Sequence, residues 1–158
     1  MIFEKAPVMN LSEQLNADLK TAMKAKEKAT LTLLRSVKSA LKNEEIKTGS
    51  ALSDANEVAV LLKMIKQRRE AADGFRKGGA EERAQNEDWE AEQLSKYLPP
   101  APTEEEIDKA IDEELAAIPA EERSGKTMGV LMGALNAKFA GRPIDGKALS
   151  QKVRAKLK

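Results

Sequence analysis

The chain has 158 residues, 27 Lys/Arg against 26 Asp/Glu, no cysteine and no histidine. A third of it is charged and only 3% is aromatic, the profile of an all-helical chain rich in Ala, Leu, Glu and Lys. The missing cysteines exclude disulfides, thiolate catalysis and Cys-based metal sites, and fit a reducing compartment. The missing histidines remove the commonest general base and metal ligand.

The first nine residues, Met1-Ile-Phe-Glu-Lys-Ala-Pro-Val-Met9, lack the long apolar core and cleavage-like site of a signal peptide. No window approaches a membrane span. The expectation is a cytoplasmic protein without a membrane partner. Asn10-Leu-Ser-Glu13 pairs a capping Asn with a Glu three residues on, so a helix begins near Leu11. Leu11, Leu15, Leu19 and Ala22/Met23 form its apolar stripe, which Lys24-Ala-Lys-Glu-Lys28 interrupts. A second helix carries Leu31, Leu34, Val37, Leu41 and Ile46 and stops at Gly49. Ser53 caps a third, with Val58, Leu61, Ile65, Ala72 and Phe75, that reaches Lys77. Gly78-Gly79 breaks it, and a polar helix follows from about Ala80 to Tyr97, anchored by Trp89, Leu94 and Leu98. Period-two alternation is never sustained, so no sheet is predicted.

Pro99-Pro100-Ala-Pro102 cannot continue a helix and marks the clearest boundary. Thr103-Glu-Glu-Glu106 is a capping box opening a helix with Ile107, Ile111 and Leu115 on one face, ended by Ile118-Pro119. A further helix spans about Thr127 to Ala140 and stops at Gly141. Asp145 caps the last, with Leu149, Val153 and Leu157. The predicted fold class is all-α: an N-terminal helical domain of about four helices (residues 1–98), joined by a Pro-rich linker to a small three-helix C-terminal module (103–158).

Charge is unevenly placed. Residues 101–122 hold nine acids and one Lys, whereas 123–158 hold nine Lys/Arg and one acid, a tail of +8 behind a segment of −8. Concentrated positive charge attracts polyanions. Gly129 and Gly133, one helical turn apart, cost helix propensity, which tight packing of another helix or close approach of a ligand backbone would offset. Gly141-Arg142-Pro-Ile-Asp-Gly146-Lys147 feeds a helix N-terminus, a plausible phosphate grip, although Asp145 competes for the cap. It has the G-x-x-x-x-G-K order but no following Ser/Thr and no preceding strand, so it is not a P-loop. Ser39-x-x-Lys42 spells a nucleophile motif without its companions. The cluster Lys63, Lys66, Arg68 and Arg69 has acids at helical spacing to neutralise it. Trp89 and Tyr97 are too few for base stacking, so backbone and shape recognition is the more natural mode for any nucleic acid.

Several segments, in order and nearly spanning the chain, resemble the YqeY-like family: Leu34-Arg-Ser-Val-Lys-Ser-Ala-Leu-Lys-Asn-Glu-Glu-Ile46, Lys66-Gln-Arg-Arg-Glu-Ala-Ala-Asp-Gly-Phe-Arg-Lys-Gly78, Tyr97-Leu-Pro99, and Met128-Gly-Val-Leu-Met-Gly133 with Gly141-Arg142 and Asp145-Gly-Lys147. The family's usual G-R-x-D-G carries one extra residue here. The resemblance extends to the tail of the B subunit of the glutamine-dependent aspartyl/glutamyl-tRNA amidotransferase, a carbon–nitrogen ligase with glutamine as amido-N-donor. It implies an all-helical, two-part, non-catalytic protein that associates with tRNA, because the related tail grips tRNA while amide chemistry occurs elsewhere. It implies Lys126, Lys138, Arg142 and Lys147 as RNA-contacting residues; charge alone adds Lys152, Arg154 and Lys156. Gly129, Gly133, Gly141 and Gly146 are expected to be structural. No catalytic residue, metal site or cofactor is evident. The rival expectation is a protein–protein adaptor docking on a translation or amidotransferase component.

Overall fold

In the computed structural model, residues 10–158 are described; the signal-peptide reading of Met1–Met9 falls outside them. The described residues form seven α-helices and one 3-10 turn, without a strand. They divide into two compact units, one ending at Tyr97 and one spanning Leu98–Lys158.

The first unit contains α1 (Leu11–Ala25), α2 (Lys28–Thr48), α3 (Asp54–Lys77) and α4 (Glu81–Ser95). Their starts follow local chemistry. The Asn10 side chain accepts the Glu13 N–H at 2.8 Å, and Ser53 Oγ accepts the Asn56 N–H at 3.2 Å. These bonds satisfy backbone donors that a first turn leaves without helical partners. Gly49 ends α2 at φ +75°, and Gly79 turns the chain between α3 and α4 at φ +78°. Glycine has no Cβ to clash in this left-handed region.

Packing of α3 on α4 dominates this unit. Ala72, Ala84 and Ala91 are buried to 1% exposure or less, so small residues let these helices approach closely. Arg68 Nε lies 3.3 Å from Glu90 Oε2 but is buried and misaligned, so the contact is an ion pair and not a hydrogen bond. Arg76 pairs with Asp88 at 2.5 Å across the hairpin and with Glu81 at 3.4 Å near its turn. The Tyr97 hydroxyl donates a short hydrogen bond to Asp18 of α1. Burial, and then that acceptor, raise the phenol's pKa above its ordinary value.

The second unit contains α5 (Glu104–Ala116), a 3-10 turn (Ala120–Glu122), α6 (Thr127–Lys138) and α7 (Gly146–Leu157). Thr103 and Glu106 form the expected reciprocal capping box. Arg123 closes the other end of α5, donating to the Leu115 and Ile118 carbonyls at 3.1 Å each. Its cation complements the negative end of the helix. Ile107, Ile111, Leu131, Leu135, Phe139, Leu149 and Val153 meet in the core. The prolines at 99, 100 and 102 fall at the start of this unit, where Pro100 O accepts the Arg142 Nε–H at 3.2 Å.

The alanine-lined α3–α4 seam has no room for a larger side chain. Ala84→Leu should lower stability by about 1–3 kcal/mol, measured by urea unfolding followed by circular dichroism. A neutral result would contradict close packing at that seam.

Candidate nucleic-acid interface

The seven candidate cations divide according to their partners. Lys138 Nζ lies 3.0 Å from Glu113, and Arg142 grips Glu106 with two guanidinium nitrogens, at 3.0 and 3.4 Å. Lys152 pairs with Glu104 and, at 3.1 Å, with Asp108. Lys156 pairs with Asp112 at 2.7 Å. All five carboxylates belong to α5. The −8 and +8 segments are thus folded against each other, and the unit carries no net charge. Four of the seven expected RNA contacts already have a carboxylate partner, because helix packing brings the acidic α5 beside α6, its following loop and α7.

The side chains of Lys126, Lys147 and Arg154 form no ion pair or hydrogen bond among the described residues. At 3.6 residues per turn, Lys147, Arg154 and also Lys158 share one side of the α7 apolar band of Leu149 and Val153. Lys152 and Lys156 share the side that meets α5. One helix therefore carries a neutralised row of cations and a free row.

The tight-packing expectation for Gly129 and Gly133 is not met. Both are exposed, and a Cβ built on either would meet nothing within 4 Å. No helix of the described chain covers them. With Lys126, Val130 (61% exposed) and Ala137 they form a smooth, uncovered face of α6. Gly146 is also open to a Cβ and has no positive φ, so no structural demand for glycine exists there. Gly141 keeps the expected role, turning the chain after α6 at φ +84°. Asp145 caps α7, accepting from Lys147 N–H at 2.9 Å and Ala148 N–H at 3.4 Å. This carboxylate occupies the helix N-terminus that the sequence offered as a phosphate grip.

The Ser39-x-x-Lys42 spelling is not assembled into a nucleophile pair. Ser39 and Lys42 line a half-open cavity of about 460 Å³ with Leu15, Leu41, Leu52 and Glu57. Lys42 is directed to Glu45 at 3.7 Å, and no Ser39–Lys42 hydrogen bond exists among the described residues. Burial raises the pKa of Glu57, assisted by Asp54 and Glu45. The described residues contain no group of acids placed to hold a metal and no helix long and apolar enough to cross a membrane.

Comparison with known proteins adds a decisive match: the family model described as Yqey-like protein covers residues 12–157. The chain belongs to that family. Among curated relatives, a Clavispora lusitaniae protein is 33% identical over 87% of this chain and 82% of its own length. A Pyrenophora tritici-repentis protein is 27% identical over 89% and 77%. An Eremothecium gossypii protein is 36% identical over 65% and 54%. All three are named altered inheritance of mitochondria protein 41, mitochondrial.

Two measurements follow from this geometry. Because nothing crowds the glycines, Gly129→Ala and Gly133→Ala should each stabilise the protein by about 0.5–1 kcal/mol. Differential scanning calorimetry would show a higher midpoint; a lower one would restore the tight-packing explanation. Glu106 has a lowered pKa, first through the Thr103 N–H and then through Arg142; Lys138 similarly lowers that of Glu113. Their stabilisation is present above the unfolded glutamate value of about 4.3 and is lost as pH falls through the lower folded values. Lys152, raised by Glu104 and then Asp108, retains its contribution until strongly alkaline pH. Unfolding followed from pH 7 down to 3 should therefore show falling stability, with a flatter profile in Glu106→Gln.

Proposed function

We propose that this protein is a non-catalytic, tRNA-associated accessory module whose C-terminal helices dock on a sugar–phosphate backbone. The observation that carries this reading is the free cation pair of α7 (Lys147, Arg154), with Lys158 just past the helix end, spared by the ion pairs that occupy Lys152 and Lys156. Lys126 and the smooth Gly129–Gly133 face of α6 support it, since a bare helix face permits close approach to a ligand backbone. The resemblance to an amidotransferase tail points to the same class of ligand. The contact set is narrower than the sequence suggested: Lys126, Lys147 and Arg154 lead, while Lys138, Arg142, Lys152 and Lys156 would have to exchange a carboxylate for a phosphate. Surface ion pairs are individually weak, so exchange is accessible.

A protein–protein adaptor is the second reading, favoured by the unit's zero net charge and by the uncovered α6 face. In either reading the first unit serves as scaffold or partner surface. The cytoplasmic expectation has no support in the relatives' names, which favour a mitochondrial setting.

Fluorescence anisotropy with total tRNA at several salt concentrations separates the two. Each phosphate contact contributes about 0.7–0.9 to the slope of log affinity against log salt. Replacing Lys126, Lys147 and Arg154 by Ala should reduce that slope by about 2–3. Failure of the wild-type protein to bind tRNA even at low salt would remove this function. Retention of a defined protein partner after nuclease treatment, abolished by Gly133→Arg, would then establish the adaptor.

A further inference from the structure

The corner between α1 and α2 holds the one non-glycine residue with left-handed backbone among the described residues. Left-handed backbone occurs at four described positions. Three are glycines (49, 79 and 141), and the fourth is Lys26, at φ +57° and ψ +37°. Lys26 terminates α1 in a left-handed turn that also directs the Glu27 N–H to Ala22 O at 3.0 Å. That position favours glycine, because a Cβ there crowds the backbone. The start of α2 also lacks a side-chain cap: Glu27 forms no capping bond, as at the starts of α4 (Ala80) and α6 (Lys126) and unlike those that Asn10, Ser53, Thr103 and Asp145 cap. The corner thus forgoes a favourable residue at both helix ends and presents cations instead. Lys20, Lys24, Lys26 and Lys28 are exposed, with one acid, Glu27, in the span. Like Lys147 and Arg154, and unlike Lys138, Arg142, Lys152 and Lys156, their side chains have no ion pair or hydrogen bond among the described residues.

We infer that this corner is a second phosphate-contacting surface, for the backbone of a structured RNA. The inference rests on the tRNA-associated reading above and adds a site in the other unit. Backbone strain kept at a residue that glycine would relieve points to a use for the lysine side chain. The chemistry favours a polyanion over a protein. Protein interfaces centre on aromatic and Arg anchors and are depleted in Lys, whereas Met23, 58% exposed, is the one large exposed apolar group at the corner among the described residues. A phosphate backbone needs only dispersed point charges at suitable spacing. The nearby ring of Tyr97, which shares a cavity with Thr21, Ala22 and Glu27, is tied through its hydroxyl to Asp18, so contacts would be to phosphate and sugar, not to bases.

The test uses the full chain, total tRNA and a triple variant, Lys24→Ala/Lys26→Gly/Lys28→Ala. Its salt slope should be smaller by about 2–3 than that of the wild type. Lys26→Gly alone should raise the unfolding midpoint while weakening tRNA binding, a split that a purely structural lysine would not give. An unchanged slope in the triple variant, with the Lys126/Lys147/Arg154 variant still impaired, overturns the corner and leaves the C-terminal reading intact. An unchanged tRNA slope together with lost binding to polyglutamate also overturns it, assigning the corner to an acidic protein. Absence of wild-type tRNA binding overturns both.

Discussion

The second unit is organised by the line of carboxylates on α5 and the cations that α6, its following loop and α7 bring to it. Glu104, Asp108 and Asp112 recur every four residues, one helical turn apart, so Lys152 and Lys156 on a facing helix can engage them in register. Glu106 serves two purposes. It completes the Thr103 capping box and receives the Arg142 fork, so the start of α5 and the loop before α7 share one carboxylate. None of these pairs is deeply buried, and none is a large stabiliser alone. Their collective effect is to fix which faces of α7 are engaged and which remain open to a ligand.

That selection changes the meaning of composition. A run of nine cations against one acid reads as a strongly attractive tail only while the chain is treated as a line. Once the helices pack, neutralisation proceeds face by face, and what a polyanion can meet is the remainder. Lys147, Arg154 and Lys158 are that remainder on α7. Lys20, Lys24, Lys26 and Lys28 are the unpaired cations gathered at one corner of the first unit.

Local features of the fold were legible in the sequence because local chemistry determines them. Asn10, Ser53, Thr103 and Asp145 announce helix starts through side chains that reach backbone donors two or three residues away. Gly49 and Gly141 announce ends through a backbone angle that other residues adopt at a cost. Leu149, Val153 and the Ile107–Ile111 pair follow from helical spacing. The candidate interface was less legible. Whether Lys152 faces a carboxylate or water depends on helix packing some forty residues distant in sequence. Gly129 and Gly133 were ambiguous for the same reason: spacing predicts a bare face but not whether another helix covers it. Lys26 left a faint signal, a lysine between two helical stripes where a glycine would be expected, and only its backbone angle gave that signal weight.

The Arg142 guanidinium sets the physical extent of the C-terminal unit. By holding both Glu106 and the Pro100 carbonyl, it draws the proline run into the unit instead of leaving it as a spacer. An autonomous fragment would therefore have to include Pro100. One that opened at Thr103, where the helical pattern starts, would strip the arginine of its main-chain acceptor and weaken the joint between the first helix and the final loop.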